Sequence, residues 1–154
     1  QLCDRSHGHL GLLFIDVDHF KETNDNYGHA IGDQALLLVR DRIQQQLRQS
    51  DTLARLSGDE FVVLLEQVPS QASVEQTAER MVSAFNKPAR LGAQIINLSI
   101  SIGIALYPDH GKNRDELLSH GDTAMYQSKG KGRNRWTVYD ADRSQREVSV
   151  LKRG

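Results

Sequence analysis

The sequence predicts a mixed-sheet α/β domain, and three observations carry that expectation. Short apolar runs of β character interleave with segments of helical periodicity. The order that results is β-α-β-β-α-β-α-β, with no repeat and no low-complexity stretch. Two of the strands are separated only by a tight turn, which introduces antiparallel pairing and argues against a doubly wound parallel sheet.

The elements follow in chain order. Leu10 to Asp18 reads as a buried strand, a continuous apolar run that ends abruptly in carboxylates. Asn24, Asp25, Asn26 and Gly28 mark a turn-rich connection. From Asp33 to about Gln49, Leu36, Leu37, Val39, Ile43 and Leu47 form the apolar face of a helix. Leu53–Leu56 and Phe61–Leu65 are short strands joined by Ser57-Gly58-Asp59-Glu60, a hairpin turn. Ser73 to Phe85 is an amphipathic helix with Val74, Ala78, Met81, Val82 and Phe85 inward. Pro88 and Gly92 bracket a loop, and the alternation from Ile95 to Tyr107 predicts one long strand. A helix over about 114–128 and a strand over 136–139 complete the domain. Met125, Tyr126, Trp136 and Tyr139 read as core and edge packing.

Composition narrows the function. The 154 residues, 38% hydrophobic, suit one domain with its own core. Nineteen basic against 20 acidic residues leave a net charge of −1, too balanced for a general nucleic-acid or membrane-surface binder. The basic run Lys129 to Arg135 lacks the interleaved aromatics of an RNA-binding surface. The lone Cys3 excludes an intramolecular disulfide framework and fits a reducing compartment. The six histidines, His7 among them, show no metal-ligand spacing on one predicted face. No apolar run approaches the roughly 20 residues of a membrane span. Opening on Gln1, the chain reads as a piece of something larger.

The residues that invite chemistry are acidic. Asp16 and Asp18, two apart on a strand, share a face and can project toward one spot, and a divalent cation is a good reason for acids there. The plainer reading is a strand end with one Asp capping the next turn. Asp59 and Glu60 sit at a turn where Gly58 lets backbone approach a ligand. A hairpin beside the first strand would bring Asp59 near Asp16. With Lys21 and Lys129-Gly130-Lys131-Gly132-Arg133 available for phosphates, these residues point to metal-assisted phosphoryl or nucleotidyl transfer.

Leu56-Ser57-Gly58-Asp59-Glu60-Phe61 resembles the signature of GGDEF domains, the diguanylate cyclases, with Ser57 in place of the first glycine. Asp16-Val17-Asp18-His19-Phe20-Lys21, Asn24-Asp25, Gly28-His29, Gly32-Asp33, Ser101-Ile102-Gly103, Asp122 to Tyr126 and Lys129 to Asn134 fall in family order as well. The resemblance implies a largely antiparallel central sheet flanked by helices, like the palm of nucleotide cyclases and polymerases. It also implies a reaction in which two GTP condense to cyclic di-GMP and pyrophosphate between two facing domains, so that a homodimer is needed.

On matching positions, Asp16, Asp59 and the Val17 carbonyl would hold Mg²⁺ or Mn²⁺, and Glu60 would lie near the attacking hydroxyl as a base or second-metal ligand. Asn24 and Asp33 would read the guanine edge, against which Ser57 and Gly58 would lie. His19, Phe20, Lys21, Lys129 and Arg133 would cradle phosphates. Arg48-Gln49-Ser50-Asp51 matches the family's RxxD site, where product binds and inhibits, through Arg48 and Asp51. Ser57 keeps open a degenerate module that binds GTP or cyclic di-GMP without turnover. A more distant alternative is a phosphotransferase with Asp16 as nucleophile.

Gly121 stands where the family usually has alanine, an expected weak point at a helix start. The resemblance delimits the domain as 1–139, with the family's first helix expected before Gln1, and 140–154 as a linker or the start of a connecting helix. It suggests attached sensor and EAL phosphodiesterase domains. It places the domain in the bacterial cytoplasm, free or as the cytoplasmic part of a membrane-anchored protein.

Overall fold

The computed structural model describes residues 9–142; Cys3, His7 and the part of the expected linker beyond Asp142 lie outside them. Its first strand, β1 (His9–Val17), is buried along all but its first residue. It is followed by helices α1 (Phe20–Tyr27) and α2 (His29–Gln44), then by the hairpin β2 (Thr52–Ser57) and β3 (Glu60–Val68). Helix α3 (Gln71–Ser83) leads to the short strands β4 (Ala89–Leu91) and β5 (Gln94–Ile96). Strand β6 (Ile100–Tyr107), helix α4 (Arg114–Gly130) and strand β7 (Arg135–Val138) close the order. The main sheet runs β2-β3-β1-β6-β7, antiparallel except for the β6–β7 pair, whose parallel strands α4 connects. The expected mixed, largely antiparallel α/β architecture is what forms.

The apolar run from Leu10 to Ile15 in β1 has a simple cause: both faces of the strand are covered, and the first acid, Asp16, comes only one residue before the strand ends. Leu13, Ile15 and Val17 pack with Ala35, Val39 and Ile43 of α2 and with Val74, Ala78 and Met81 of α3. Leu12 and Phe14 face the other way, onto Leu117 and Met125 of α4. Both later helices carry side-chain caps at their N-termini. The Ser70 hydroxyl accepts from the Ser73 N–H, and the Asn113 side chain accepts from the Glu116 N–H.

Four sequence expectations need correction. The segment around Asn24 is helix, not loop: α1 runs to Tyr27, and Gly28, at φ 89°, separates it from α2, which starts four residues earlier than Asp33. The polar composition disguised α1 because it buries only Thr23 fully and therefore shows no apolar stripe. The strand expected over 95–107 is divided, because its first residues fall in Gln94–Ile96, which pairs with Ala89–Leu91 of the expected loop as a separate hairpin. Ile96, Leu98 and Ile100 are all buried, so alternation ran on where the ladder did not. Gly121 lies inside α4, away from its start. Of the aromatic residues, Tyr126 is exposed rather than packed, whereas Tyr139 stacks on His120 at 4.1 Å. Among the described residues no helix is long and apolar enough to cross a membrane.

Candidate functional site

The two carboxylates at the end of β1 have different tasks. Asp18, 4% exposed, is saturated with donors. The Ser99 hydroxyl donates to Oδ2 at 2.6 Å, the Ser101 hydroxyl to Oδ1 at 2.6 Å, and the Asn134 N–H to Oδ2 at 3.0 Å. Asp18 therefore ties the end of β1 to β6 and to the turn after α4, its oxygens engaged by these donors rather than offered with Asp16 to one spot. Ser99, Ser101 and Asn134 were not singled out as its partners, and only their polarity beside buried strands could have suggested them. Asp18→Ala leaves these donors without their acceptor and is expected to cost about 3 kcal/mol in urea unfolding.

Asp16, by contrast, is short of partners. Its backbone register places it opposite Glu60 on β3, and the Val17 N–H donates to the Asp59 carbonyl at 3.1 Å, fastening the hairpin turn to the strand end. The Asp59 carboxyl is near enough to Asp16 to disfavour its charged form. Asp16 Oδ2 meets the Lys129 ammonium, while Oδ1 is buried with no partner among the described residues. Burial, and after it the neighbouring Asp59, push the Asp16 carboxyl up to about 7, against the pull of Lys129. The turn itself is braced by Arg55, whose Nε donates to the Gly58 carbonyl at 2.8 Å, with Gly58 at φ 35°. Arg55 was missed from sequence. The Ser57 hydroxyl donates to Glu60 Oε1 at 3.2 Å, a bond glycine could not make.

This donor set fits a hard divalent cation. Two carboxylates from different elements converge, one oxygen is bare, and hard oxygen ligands are what Mg²⁺ takes. Among the described residues no group of three or more His, Cys, Asp or Glu side chains gathers, so water, carbonyl and phosphate oxygens would complete the shell.

The remaining candidates fall on three segments. His19, at φ 55°, turns the chain from β1 into α1, whose first residues are Phe20 and Lys21. Its Nδ1 sits 3.1 Å from Glu22. Asn24 packs against the first turn of α2, where its Oδ1 fills the space that a Cβ on Gly32 would take; that oxygen is buried and has no partner among the described residues. Asp33 is exposed one residue further along α2. Lys129 closes the last turn of α4. Arg133 and Asn134 follow with left-handed backbones, and Arg133 Nε is buried without a partner among the described residues.

A second site lies elsewhere. Arg48 and Asp51 occupy the turn between α2 and β2, because α2 stops at Gln44, short of the expected Gln49. The Arg48 side chain donates to both oxygens of Asp51, at 3.3 and 3.0 Å, and to the Glu66 carbonyl at 2.6 Å. These bonds make the guanidinium harder still to deprotonate. Both residues line a cleft of about 240 Å³ bounded across by Gln76, Thr77 and Arg80 of α3.

The family model described as diguanylate cyclase, GGDEF domain, matches residues 1–135. The chain belongs to the GGDEF family. This GGDEF domain is 42% identical over 141 residues to the bifunctional diguanylate cyclase/cyclic di-GMP phosphodiesterase MucR of Pseudomonas aeruginosa, spanning 92% of the chain but 20% of that protein. It is 40% identical over 142 residues to the cyclic di-GMP phosphodiesterase PdeR of Escherichia coli, again 92% of the chain and 21% of the relative. Among solved structures, the GGDEF domain of TpbB (YfiN) from P. aeruginosa superposes with a TM-score of 0.92 at 39% identity, covering 96% of this chain and 86% of that one. The GGDEF domain of DgcB from Caulobacter crescentus, solved in complex with c-di-GMP, gives 0.78 at 28% identity, covering 88% and 81%. The chain thus spans about a fifth of the first two relatives, whose names include both synthesis and breakdown of the dinucleotide.

Proposed function

We propose that this GGDEF domain is a diguanylate cyclase, condensing two GTP to cyclic di-GMP and pyrophosphate, with one nucleotide held by each of two facing copies. The observation that carries the reading is the convergence of Asp16 and Asp59, with one Asp16 oxygen bare and Lys129 beside the other. Asp16, Asp59 and the Val17 carbonyl would hold Mg²⁺ or Mn²⁺. Bound there, the cation supplies charge neutralisation at the phosphates and acidifies the attacking hydroxyl.

The residues do the rest. Asn24 Oδ1 is an acceptor awaiting a donor, and with Asp33 it would take the N–H groups of a guanine edge; adenine would leave these acceptors unpaired. The N–H groups opening α1, together with Lys21, Lys129 and Arg133, would receive the phosphates and the departing pyrophosphate. Glu60, cross-strand from Asp16, would accept the proton of the attacking 3′-hydroxyl. The setting would be bacterial cytoplasm, with sensor and EAL domains as covalent neighbours.

One observation favours a second reading. The Ser57 hydroxyl occupies Glu60, and a carboxylate so engaged is a poorer base. In that case the domain binds GTP or cyclic di-GMP and regulates a neighbour without turnover. Incubating the full-length protein with GTP and Mg²⁺ and resolving products by chromatography separates the two. Cyclic di-GMP formation supports the cyclase. GTP binding without product, restored to turnover by Ser57→Gly, supports the regulatory module.

The cleft at Arg48, Asp51 and Arg80 would take the product's guanines and phosphates as a feedback site. Arg48→Ala is expected to weaken cyclic di-GMP binding about 10- to 100-fold by calorimetry, the worth of one bidentate guanine contact, and to raise the steady-state product level. Unchanged product affinity removes this assignment.

A further inference from the structure

Lys129 is drawn two ways. Phosphate capture needs its ammonium free, yet in the nucleotide-free domain the ammonium is paired with Asp16 Oδ2, and the side chain is 22% exposed. This is the only ion pair that the described residues make with Asp16, Asp59 or Glu60. The anchor of Lys129 is fixed. It closes the last turn of α4, where positive charge suits the helix dipole, and the turn that follows is stapled to Asp18 through the Asn134 N–H at 3.0 Å. The Arg133 N–H returns to the Ser128 carbonyl at 2.9 Å, so the backbone on both sides is held. Only the four-carbon stem can move, and a lysine stem carries a compact charge through a wide arc.

We propose that Lys129 is a resident counter-ion that occupies the cation's place on Asp16 until a nucleotide triphosphate draws it away, so that metal and nucleotide enter the site as a coupled pair. This rests on the reading of the site as a metal–GTP site and adds a property to it. A single positive charge cannot serve the carboxylates and the phosphates at once. While the ammonium sits on Asp16 Oδ2, a divalent cation must displace it to gain that oxygen. Once phosphates are present the ammonium has a stronger anionic partner, Oδ2 is released, and the metal gains both carboxylates together with phosphate oxygens. By linkage, the nucleotide then tightens metal binding by the same factor as the metal tightens nucleotide binding. Free metal at a modest concentration leaves the domain unloaded, and metal-bound nucleotide is the form admitted.

The test uses Mn²⁺ as probe, titrated into the full-length protein and followed by electron paramagnetic resonance, with and without an α,β-methylene analogue of GTP. Wild type is expected to bind Mn²⁺ weakly alone and tightly with the analogue. In Lys129→Met, and in Lys129→Gln as the second variant, Mn²⁺ alone is expected to bind about tenfold more tightly, the scale of one partly buried ion pair, and the extra gain from the analogue shrinks. Lys21→Met, which removes a lysine proposed to take the phosphates and not paired with Asp16, is expected to weaken analogue binding while leaving the affinity for Mn²⁺ alone unchanged. Lys129 variants that bind Mn²⁺ alone no better than wild type overturn the counter-ion role while leaving the metal–GTP reading intact. Wild type that gains no Mn²⁺ affinity from the analogue overturns that reading, and the proposal falls with it.

Discussion

Gly103→Ala is expected to remove the folded domain. Gly103 lies in β6, paired with Phe14 on one side and Thr137 on the other, and the backbone of α4 rests directly on it. A Cβ at this position would stand 2.0 Å from the Gly121 carbonyl oxygen and 2.1 Å from the Met125 nitrogen. Both are backbone atoms of a packed helix, so no rotamer relieves the overlap, and α4 would have to lift from the sheet along its whole contact. Lifting it exposes Leu117 and Met125, opens the cluster around Leu12 and Phe14, and displaces Lys129 at the helix end. A loss above about 4 kcal/mol is expected, read as insoluble expression or as a melting temperature lower by about 10 °C or more. Gly121→Ala is the internal control. Its Cβ would meet Leu12 Cδ2 at 2.8 Å, the far end of a flexible side chain, and alanine regains about 1 kcal/mol of helix propensity. That variant is expected to melt close to wild type. If both variants melt alike, the glycine-to-backbone contact is not what sets α4.

The same pair of glycines shows what could be read in advance. Gly103 stood out as a motif residue, and Gly121 as a departure expected to weaken a helix. The close approach between strand and helix that joins them is a tertiary fact with no periodicity to betray it. Where burial decides an element, the sequence was sufficient: β1 and α3 follow from their apolar spacing, and the hairpin from turn residues between two apolar runs. Where hydrogen bonding and burial part company it was not. Leu98 is buried like a strand residue yet sits between β5 and β6, and α1 is a helix with almost no buried face.

The candidate site was legible in its carboxylates because an acid at the end of an apolar strand is conspicuous. The difference between Asp16 and Asp18 was not legible. It depends on which acid meets Ser99, Ser101 and Asn134, residues brought together across 81, 83 and 116 positions of sequence. The bond from Ser57 to Glu60 was equally hidden, since sequence shows a lost glycine but not the carboxylate that the new hydroxyl finds.

Asp59→Asn is expected to act on activity and stability in opposite directions. On activity, it removes a proposed metal ligand and should lower cyclic di-GMP formation by about a thousandfold or more, the scale of losing a charge-stabilising group from a site of this kind. On stability, the metal-free domain keeps Asp59 near enough to Asp16 to disfavour its charge, with Glu60 cross-strand and Lys129 paired to Asp16. The amide keeps the shape of the side chain and leaves the bond from the Val17 N–H to the residue-59 carbonyl in place, while one of the crowded charges disappears. In a chelator, therefore, the variant should melt a few degrees above wild type, about 1 kcal/mol for a domain of this size.

The pH dependence has a definite sign. Asp16 titrates at about 7 in the folded domain against an ordinary 3.8, so the folded state binds more protons between those values. Its contribution to stability is full below 3.8 and is lost as pH rises through about 7. Wild type without metal should accordingly lose stability over that window. The variant, lacking the Asp59 charge that helps raise Asp16, should lose less. Saturating Mg²⁺ should restore wild type and leave the variant unmoved, because only the wild-type pair can clasp the cation. An Asp59→Asn protein that melts lower than wild type in chelator would show that the carboxylate supports the turn rather than strains it. The crowding of the two acids would then cease to be evidence for a missing cation.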